Sequence, residues 1–371
     1  MDEKKKKTKG RKWKVLGKSV LGVSAGIVLI LAGYVSYVMI TYSRIEDNRT
    51  LEITGTARSD TLKTDTEYTA VTYNIGFGAY TPDYTFFMDG GTQSWANSEE
   101  SVISCINGDI ALLKRHQPDL TLIQEVDIDS TRSYHVNQFK LLCDGFSDMS
   151  ATLAVNYHSA FLFYPILQPH GASNSGLLTL SNTKISSAMR RSLPIAESMS
   201  KYLDLDRCYS LNYINTENGK QLVVVNTHLS AYGTDSSLQT RQLEKMFGDM
   251  RKEYEKGNYV ICGGDFNHEF TGNSKERFNG EVPAEYSWAA AFPDQLIPAH
   301  FQKLVNYQSG GSVPSCRNCD KPYSPDSFVL TVDGFIVSDN VETTYMDIID
   351  NQFLYSDHNP VKLQFKLKAS D

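Results

Sequence analysis

The stretch Cys262-Gly263-Gly264-Asp265-Phe266-Asn267-His268 organises the interpretation of the whole chain. It follows Tyr259-Val260-Ile261, an apolar run that predicts a buried strand. The two glycines free the backbone to turn sharply and to approach a ligand closely. Asp265 and Asn267 then stand at the strand's exit, where a carboxylate and an amide suit a metal-assisted phosphoester site. A tight turn, in which both side chains bond only to their own backbone, explains the same residues equally well.

Length and composition predict one large folded domain with appendages. The chain has 371 residues, of which 41% are hydrophobic and 21% charged, so a sizeable core is available. Residues 1–18 hold eight lysines and Arg11 against Asp2 and Glu3, a net charge of +7. The remainder has 27 basic and 41 acidic residues, a net charge of −14. This acidic body disfavours non-specific nucleic-acid binding, although bound divalent cations would reverse the sign locally.

An apolar run near the N-terminus predicts a membrane anchor. No charged residue occurs in 20–40, which is long enough for a helix to cross a bilayer. The preceding basic cluster predicts a cytoplasmic N-terminus and a single-pass protein of the cell membrane whose body is extracytoplasmic. A cleaved signal peptide has the same order of parts, but the run lacks a good small-x-small site. We therefore predict a basic cytoplasmic tail (1–18), a transmembrane helix (19–41), a polar linker (42–67) and a folded domain (68–371).

The folded domain alternates strands with helices and includes hairpins, which predicts mixed sheets with covering helices. Helices are expected from Ser98, near 133–142, over 235–257 and around 284–291, separated by an otherwise irregular segment from 267 to 327. An aromatic and glycine-rich loop over 76–95 is interpreted as a lid or as a surface excursion packed by its own rings. Strands are expected at 68–73, 120–125, 149–155, 160–163, 177–181, 209–214, 221–227, 259–261, 328–337, 353–355 and 361–367.

Polar residues recur where these strands end, and their order resembles one family. The pieces are Thr72-Tyr73-Asn74-Ile75, Ile123-Gln124-Glu125-Val126, Asn226-Thr227-His228-Leu229, Gly264-Asp265-Phe266-Asn267, Val332-Asp333-Gly334-Phe335 and Ser356-Asp357-His358-Asn359-Pro360. With these motifs the chain resembles the endonuclease/exonuclease/phosphatase superfamily of DNase I-like phosphoesterases. The resemblance covers about 68 to 368. It implies an α/β fold, a four-layer sandwich of two mixed β-sheets flanked by helices, with the active site at one end between the sheets.

The resemblance also implies roles for these residues. Glu125 would be the chief ligand of Mg²⁺ or Mn²⁺, with Asn74 nearby and Asp357 as a further ligand. His358 would activate water and Asp333 would orient it, since a carboxylate on one ring nitrogen makes the other a better proton acceptor. Asp265 and Asn267 would position the nucleophile and the phosphoryl oxygens, and His228 would donate to the charged oxygens. Asp265 is an alternative proton acceptor.

Substrate contacts are expected from Asn174 and Arg132, although a solvated surface explains the segment after Glu125 about as well. Asn182 stands where many members of the superfamily have an arginine after a Leu-Ser pair, which puts one cation near the phosphate path in doubt. Cys316-Arg317-Asn318-Cys319 is half a zinc site at best, and a disulfide-prone or inert surface loop is the preferred interpretation.

Two functions of different classes follow. The first is a membrane-anchored, metal-dependent hydrolase of phosphodiesters or phosphomonoesters. Its substrate is a nucleic acid or a phospholipid or phosphoinositide headgroup, and the anchor favours the lipid. The second is a catalytically inactive, membrane-tethered binding module of the same fold. Every motif position retains a chemically competent residue, which favours the enzyme.

Overall fold

The computed structural model describes residues 2–202, 204–231, 236–282, 286 and 288–369. The chain divides into two compact units, Met1–Ser43 and Arg44–Asp371. The first unit is a single helix, α1 (Asp2–Thr41). Its segment Leu16–Thr41 is long and apolar enough to cross a membrane, and an N-terminal signal sequence would have the same character.

In the described part of the second unit, strands are combined with four further α-helices. The helices are α2 (Glu99–Arg115), α3 (Gln138–Gly145), α4 (Ser236–Glu255) and α5 (Ser274–Asn279). The strands in chain order are β1 (Arg49–Thr50), β2 (Ile53–Thr54), β3 (Glu67–Asn74), β4 (Leu120–Asp127), β5 (Ser150–His158), β6 (Asn174–Ser181), β7 (Ile185–Ser192), β8 (Cys208–Asn215), β9 (Gln221–His228), β10 (Tyr259–Asp265), β11 (Phe301–Lys303), β12 (Cys316–Arg317), β13 (Val329–Leu330), β14 (Asp333–Ser338), β15 (Val341–Ile348) and β16 (Val361–Leu367).

Two mixed sheets form the centre of this unit. Within the described residues, the first sheet has seven strands in the order β1-β7-β8-β9-β10-β14-β11. The second also has seven, in the order β15-β16-β3-β4-β6-β5-β2. Each sheet contains one parallel pair near its middle, β9 with β10 and β3 with β4. The remaining pairs are antiparallel, as the predicted hairpin of β8 and β9 through Asn218-Gly219 illustrates.

Successive side chains of the central strands alternate between the core that separates the two sheets and the outer face that the helices cover. In β9, Leu222 and Val224 face the core between the sheets, whereas Val223 and Val225 pack under α4. Helices α2 and α3 cover the outer face of the second sheet, with Ile106 and Leu142 in the same apolar cluster as β3 and β4. Because side chains of successive strand residues point to opposite faces, a continuous apolar run such as Leu222–Val225 of β9 must be covered on both sides. The four-layer α/β sandwich is confirmed.

Some predicted elements are wrong in extent. The structure has no strand at 160–163 beyond a bridge at Leu162, and none at 353–355. The strand predicted over 328–337 is two strands, β13 and β14, and the segment predicted to be irregular contains α5, β11 and β12. The start of the helix predicted at 235 and part of the one at 284–291 lie outside the described residues. The rest of the latter stretch contains no α-helix. Strands β7 and β15 were not anticipated because their apolar alternation is weak.

Residues 42–67 were predicted to be a polar linker, and the structure differs. From Arg44 onward this segment belongs to the second unit. It supplies the edge strands β1 and β2, one to each sheet, and buries Leu51 and Leu62. Backbone bonds such as Leu62 N to Asn215 O, at 2.9 Å, hold it in place. Its polar composition reflects an edge position with one solvated face rather than a stalk.

Arg190 in β7 connects several parts of the folded unit. Its side chain is 1% exposed. The guanidinium donates to Val155 O of β5 at 2.8 Å, to Asp206 O at 2.8 Å and to Ile45 O at 3.3 Å. It also lies 3.2 Å from Asp206 Oδ2. Since β7 and β5 belong to different sheets, one buried cation ties the sheets to each other and to the segment entering the fold.

Arg190→Ala should therefore lower the free energy of unfolding by about 3–5 kcal/mol, because it removes one cation of the buried ion pair with Asp206 and the donor to three carbonyl oxygens. Urea unfolding of the detergent-solubilised full chain, followed by near-ultraviolet circular dichroism, measures the change. Lys184→Ala, at an exposed residue just before β7, is the control and should change stability by less than about 0.5 kcal/mol. A loss below about 1 kcal/mol for Arg190→Ala would contradict the linking role.

Candidate active site

Strand register in the first sheet places the predicted residues His228, Asp265 and Asp333 side by side on neighbouring strands. Because β9 and β10 are parallel, their C-terminal residues His228 and Asp265 are directly paired. Strand β14 is antiparallel to β10 and begins at Asp333, which pairs with Asp265. A Cβ on Gly264 would overlap the carbonyl oxygen of Thr227, so glycine is required for β9 and β10 to approach here.

The second sheet contributes Asn74 and Glu125 at the ends of its own parallel pair. Asn74 is the last residue of β3, and its Oδ1 accepts from Gly76 N at 3.0 Å. Its Nδ2 donates to Asp265 Oδ2 of the opposite sheet at 3.1 Å and lies 3.3 Å from Glu125 Oε1. Glu125 sits at an irregularity between β4 and β6 with φ = 57°. Such a conformation is uncommon for glutamate and clusters at functional sites.

His358 faces both sheets from the loop before β16. Its Nδ1 lies 2.8 Å from Asp333 Oδ2, which also accepts from Ser315 Oγ at 2.7 Å. Its Nε2 is 3.8 Å from Asp265 Oδ2 and 4.0 Å from Asp357 Oδ2. Burial disfavours the charged imidazole, but the carboxylates of Asp333 and Asp357 outweigh it and raise the pKa of His358 well above its usual value. The predicted His358–Asp333 pair is thus present.

The remaining carboxylates of the site have raised pKa values. Burial, and secondarily Asp333, raises the pKa of Asp265. Burial also raises the pKa of Glu125 and of Asp357, against the opposing effects of Arg132 on the first and of His358 and Arg317 on the second. Acidic oxygens from both sheets that face one cavity are the donor set that Mg²⁺ and Mn²⁺ prefer. The residues present therefore fit a divalent cation.

Two groups of side chains compete as its ligands. Possible ligand atoms of Asp265, Asp333 and His358 lie within 4.8 Å of one another. However, His358 Nδ1 and Asp333 Oδ2 already bond to each other, so a metal between them would displace that bond. Glu125 and Asp357 both line the cavity, and Asn74 Nδ2 lies 3.3 Å from Glu125 Oε1. This second group is the one predicted from sequence, and it offers two carboxylates, the donor type that an oxygen-preferring cation takes.

Other predicted residues have mixed outcomes. His228 lies 3.5 Å from Asp265 Oδ2, and burial lowers the pKa of His228 well below its usual value, so the ring is neutral. Asn267 donates through Nδ2 to Leu229 O at 2.8 Å and through its backbone to Asp265 Oδ1 at 2.9 Å. The tight-turn bond expected of the alternative interpretation is therefore present within the site. Asn174 begins β6 and is not among the residues that line the cavity.

A cavity of about 190 Å³ is lined by several of the predicted side chains. Arg132 lines it while forming a buried bidentate pair with Asp127, at 3.1 and 2.9 Å. The aromatic loop was predicted to be a lid or binding surface, or a self-packed excursion. Its rings Tyr80 and Phe86 pack edge to face, as the second interpretation expects, and both also line the cavity. The catalytic candidates in its wall are Glu125, His228, Asp265, Asn267, Asp357 and His358.

Sequence reasoning did not single out two further arginines in this wall, Arg207 and Arg317. Both are buried, and Nε of each, with Nη1 of Arg317, has no hydrogen-bond partner. Arg317 donates through Nη2 to Thr81 O at 2.9 Å, and Arg207 through Nη1 to Leu229 O at 3.0 Å. Arg207 directly precedes strand β8 and Arg317 lies inside the C-x-x-C, and neither sequence context predicts a residue of an active site. Unpartnered guanidinium groups in a cavity are suited to anion binding.

The C-x-x-C and Asn182 differ from expectation. Cys316 and Cys319 are free thiols buried in the domain, not a surface loop. Cys316 Sγ is 3.7 Å from His358 Nε2, and burial raises the pKa of Cys316 to about 12, which disfavours a zinc thiolate. Asn182 follows Ser181, which pairs with the first residue of β4. It therefore lies at the end of the sheet opposite Glu125, and an arginine there would not approach the cavity.

Fold and cavity together define a phosphoesterase of the DNase I-like class: two stacked mixed sheets with acidic, histidine and amide side chains at one end. Residues 71–358 match the endonuclease/exonuclease/phosphatase family, so the chain belongs to that family and is a phosphoester hydrolase by class. A comparison with curated protein sequences finds no match.

Solved structures share the fold at low identity. An endonuclease/exonuclease/phosphatase from Beutenbergia cavernae has a TM-score of 0.56 and 16% identity, covering 82% of this chain and 72% of that one. TDP2 from D. rerio, complexed with a single-strand DNA product, has a TM-score of 0.52 and 14% identity, covering 81% of this chain and 100% of that one. ANGEL2, a 2',3'-cyclic phosphatase, has a TM-score of 0.51 and 12% identity, covering 88% and 100%.

Proposed function

We propose that the protein is a membrane-anchored, divalent-metal-dependent hydrolase in which an activated water attacks phosphorus. The observation that carries this proposal is that Glu125, Asp265, Asp357 and His358 line one cavity, while Asn74 donates to Asp265 and Asp333 bonds to His358 directly behind them. A binding module that had lost catalysis would not need an aligned acid–base pair. The enzyme is therefore preferred over the inactive module.

The chain's own residues divide the chemical work. Asp333 holds Nδ1 of His358, which leaves Nε2 to take a proton from water near Asp265. His228 and Asn267 lie beside Asp265 and supply hydrogen bonds to the phosphoryl oxygens. Arg207 and Arg317 add positive charge on the cavity wall, where negative charge increases in the transition state.

Glu125 and Asp357 would hold Mg²⁺ or Mn²⁺, with Asn74 beside them. When bound, the cation neutralises the surrounding carboxylates and polarises the phosphoryl group. Its positive charge would also lower the pKa of His358 toward the range in which the ring accepts a proton.

The substrate is a phosphodiester or phosphomonoester from a nucleic acid or a lipid headgroup. The TDP2 structure contains a single-strand DNA product, and ANGEL2 is a 2',3'-cyclic phosphatase in complex with adenosine-2',3'-vanadate, which keeps nucleic acid as one candidate. The net charge of −14 outside the basic tail and the apolar helix favour the headgroup. Assays of the full chain against DNA, RNA, sphingomyelin and phosphoinositides discriminate between these classes.

Chelation should abolish hydrolysis, and Mg²⁺ or Mn²⁺ should restore it, because the proposed ligands are oxygens. Glu125→Gln should raise the Mg²⁺ concentration required for half-maximal activity. Asp129→Asn, at an exposed carboxylate shortly after β4, should leave it unchanged. Titration of activity with metal after chelation measures both. Full activity in chelator would exclude the mechanism. Restoration by zinc alone would instead indicate Cys316 and Cys319 as metal ligands.

His358→Ala should lower turnover by roughly 10²–10⁴, the range for one positioned acid–base group. Asp333→Asn should cost less and should also move the acid limb of the pH–rate profile to lower pH. The reason is that the Asp333 charge raises the pKa of His358, so its removal lets the ring lose its proton at lower pH. Turnover per folded molecule, with the thermal midpoint alongside, gives the comparison. A near-wild-type rate for folded His358→Ala would transfer the base role to Asp265.

We also propose that α1 spans the cell membrane with residues 1–18 in the cytoplasm, since the apolar segment follows a basic cluster. A reporter that is active only outside the cytoplasm should be active when fused after Asp371. A reporter active only inside should be silent at that position and active when fused before Met1. The reverse pattern would overturn the orientation, and a shortened mature chain would indicate cleavage.

A further inference from the structure

The loop joining β5 to Leu162 and β6, residues 159–170, exposes an unusual apolar tip, which we call the apolar loop. Leu167 is 99% exposed, Ile166 is 83% exposed and Tyr164 is 69% exposed. No Asp, Glu, Lys or Arg occurs between Asp148 and Lys184. Isolated exposed apolar residues are normal, but several adjacent large ones without a charge indicate an interaction surface.

Hydrogen bonds hold the base of the apolar loop, while the side chains at its tip remain exposed to solvent. Leu162 and Gly171 exchange two backbone hydrogen bonds at 3.1 Å. Trp95 Nε1 donates to Pro169 O at 2.6 Å, and Ser94 contributes two further contacts to Gln168. A fixed base and an exposed tip of aliphatic and aromatic residues suit insertion into the interfacial region of a bilayer.

The apolar loop adjoins the mouth of the active-site cavity. The ring of Phe87 lies 5.8 Å from that of Tyr164 and 6.0 Å from that of His170. His170 lines the cavity, as does Met88, which is 58% exposed. The loop and the cavity wall are therefore neighbours in the fold.

The chain enters the folded unit beside the same rim. Arg44 Nε donates to Asp206 Oδ1 at 2.7 Å, and Ile45 N donates to Asp206 Oδ2 at 2.7 Å. His158, at the base of the apolar loop, lies 3.5 Å from Asp206 Oδ2. The neighbouring Asp204 and Leu205 line the cavity. Two residues separate the end of α1 at Thr41 from Arg44, so the connection between the helix and this part of the folded unit is at most about 10 Å long.

We infer that the apolar loop inserts into the lipid interface and turns the active-site cavity toward phosphoester headgroups of the same bilayer. The insertion follows from the exposed tip, the uncharged segment and the entry point of the chain. The assignment of the headgroup as substrate rests, in addition, on the proposed function. Because the loop has no Lys or Arg, docking requires no anionic lipid.

The first test detects insertion without using catalysis. Full-length protein is reconstituted in phosphatidylcholine vesicles with a polarity-sensitive fluorophore at Leu167→Cys. A Cys143→Ser background removes the one native cysteine that is not fully buried. Lys184→Cys, exposed at the opposite end of the strands, is the matched control. Shallow spin-labelled lipids should quench the fluorophore at 167 several-fold more than at 184. Equal quenching would overturn the inference, as would a blue-shifted emission at 167 without quenching, which indicates a second protein copy as the occupant.

The second test asks what docking does for the reaction. Ile166→Asp with Leu167→Asp should reduce hydrolysis of sphingomyelin or phosphoinositide in phosphatidylcholine vesicles by on the order of tenfold or more, because two apolar contacts are lost. The same variant should hydrolyse soluble bis-p-nitrophenyl phosphate at the wild-type rate and keep its thermal midpoint. Equal rates on vesicles would overturn the docking role. A wild-type enzyme that cleaves DNA but neither lipid would overturn the headgroup assignment. A wild-type enzyme inactive on every substrate would instead refute the proposed function, while the quenching result would still decide on insertion.

Discussion

The parallel pairing of β9 with β10 is the constraint on which the active end of the molecule depends. Parallel neighbours end at the same edge of a sheet, so His228 and Asp265 lie side by side without any loop having to carry them there. The second sheet has the same arrangement, because its parallel strands β3 and β4 position Asn74 and Glu125. Asn74 then donates to Asp265 across the gap between the sheets. Rigid strand ends, rather than mobile loops, hold most of the reacting groups.

Beneath this edge, the interior between the sheets is partly polar. Gln124 Nε2 donates to Asn226 Oδ1 at 2.8 Å, and Asn226 Nδ2 donates to Leu178 O at 3.0 Å. Asn212 accepts from Thr152 Oγ1 at 2.6 Å and donates to Val224 O at 3.1 Å. Buried amides that find partners in both sheets fix their relative register, because a shift would leave them unpaired. The core therefore positions the two halves of the site as well as stabilising the fold.

The sequence was most informative where local chemistry and strand ends coincide. Apolar runs that finish in Asn74, Glu125, His228 or Asp265 predicted both the strands and the polar residues at their ends. The register of the strands in the folded chain then brings these residues together. Arg207 and Arg317 could not be found this way, because only the folded chain brings an arginine ahead of β8 and one inside a C-x-x-C to the same cavity. Edge strands β1 and β2 were missed for a related reason. Their short polar sequences acquire strand geometry from neighbours, not from their own alternation.

The acidic cavity also links folding to the ionic surroundings of the protein. The pKa values of Glu125, Asp265 and Asp357 are raised on folding, so these groups favour the native state when protonated and oppose it as pH rises and they ionise. A divalent cation that binds the native carboxylates offsets this penalty, by about 2.7 kcal/mol when its concentration is a hundredfold above its dissociation constant. If the proposed cation binds there, it would stabilise the folded domain near neutral pH as well as take part in the reaction.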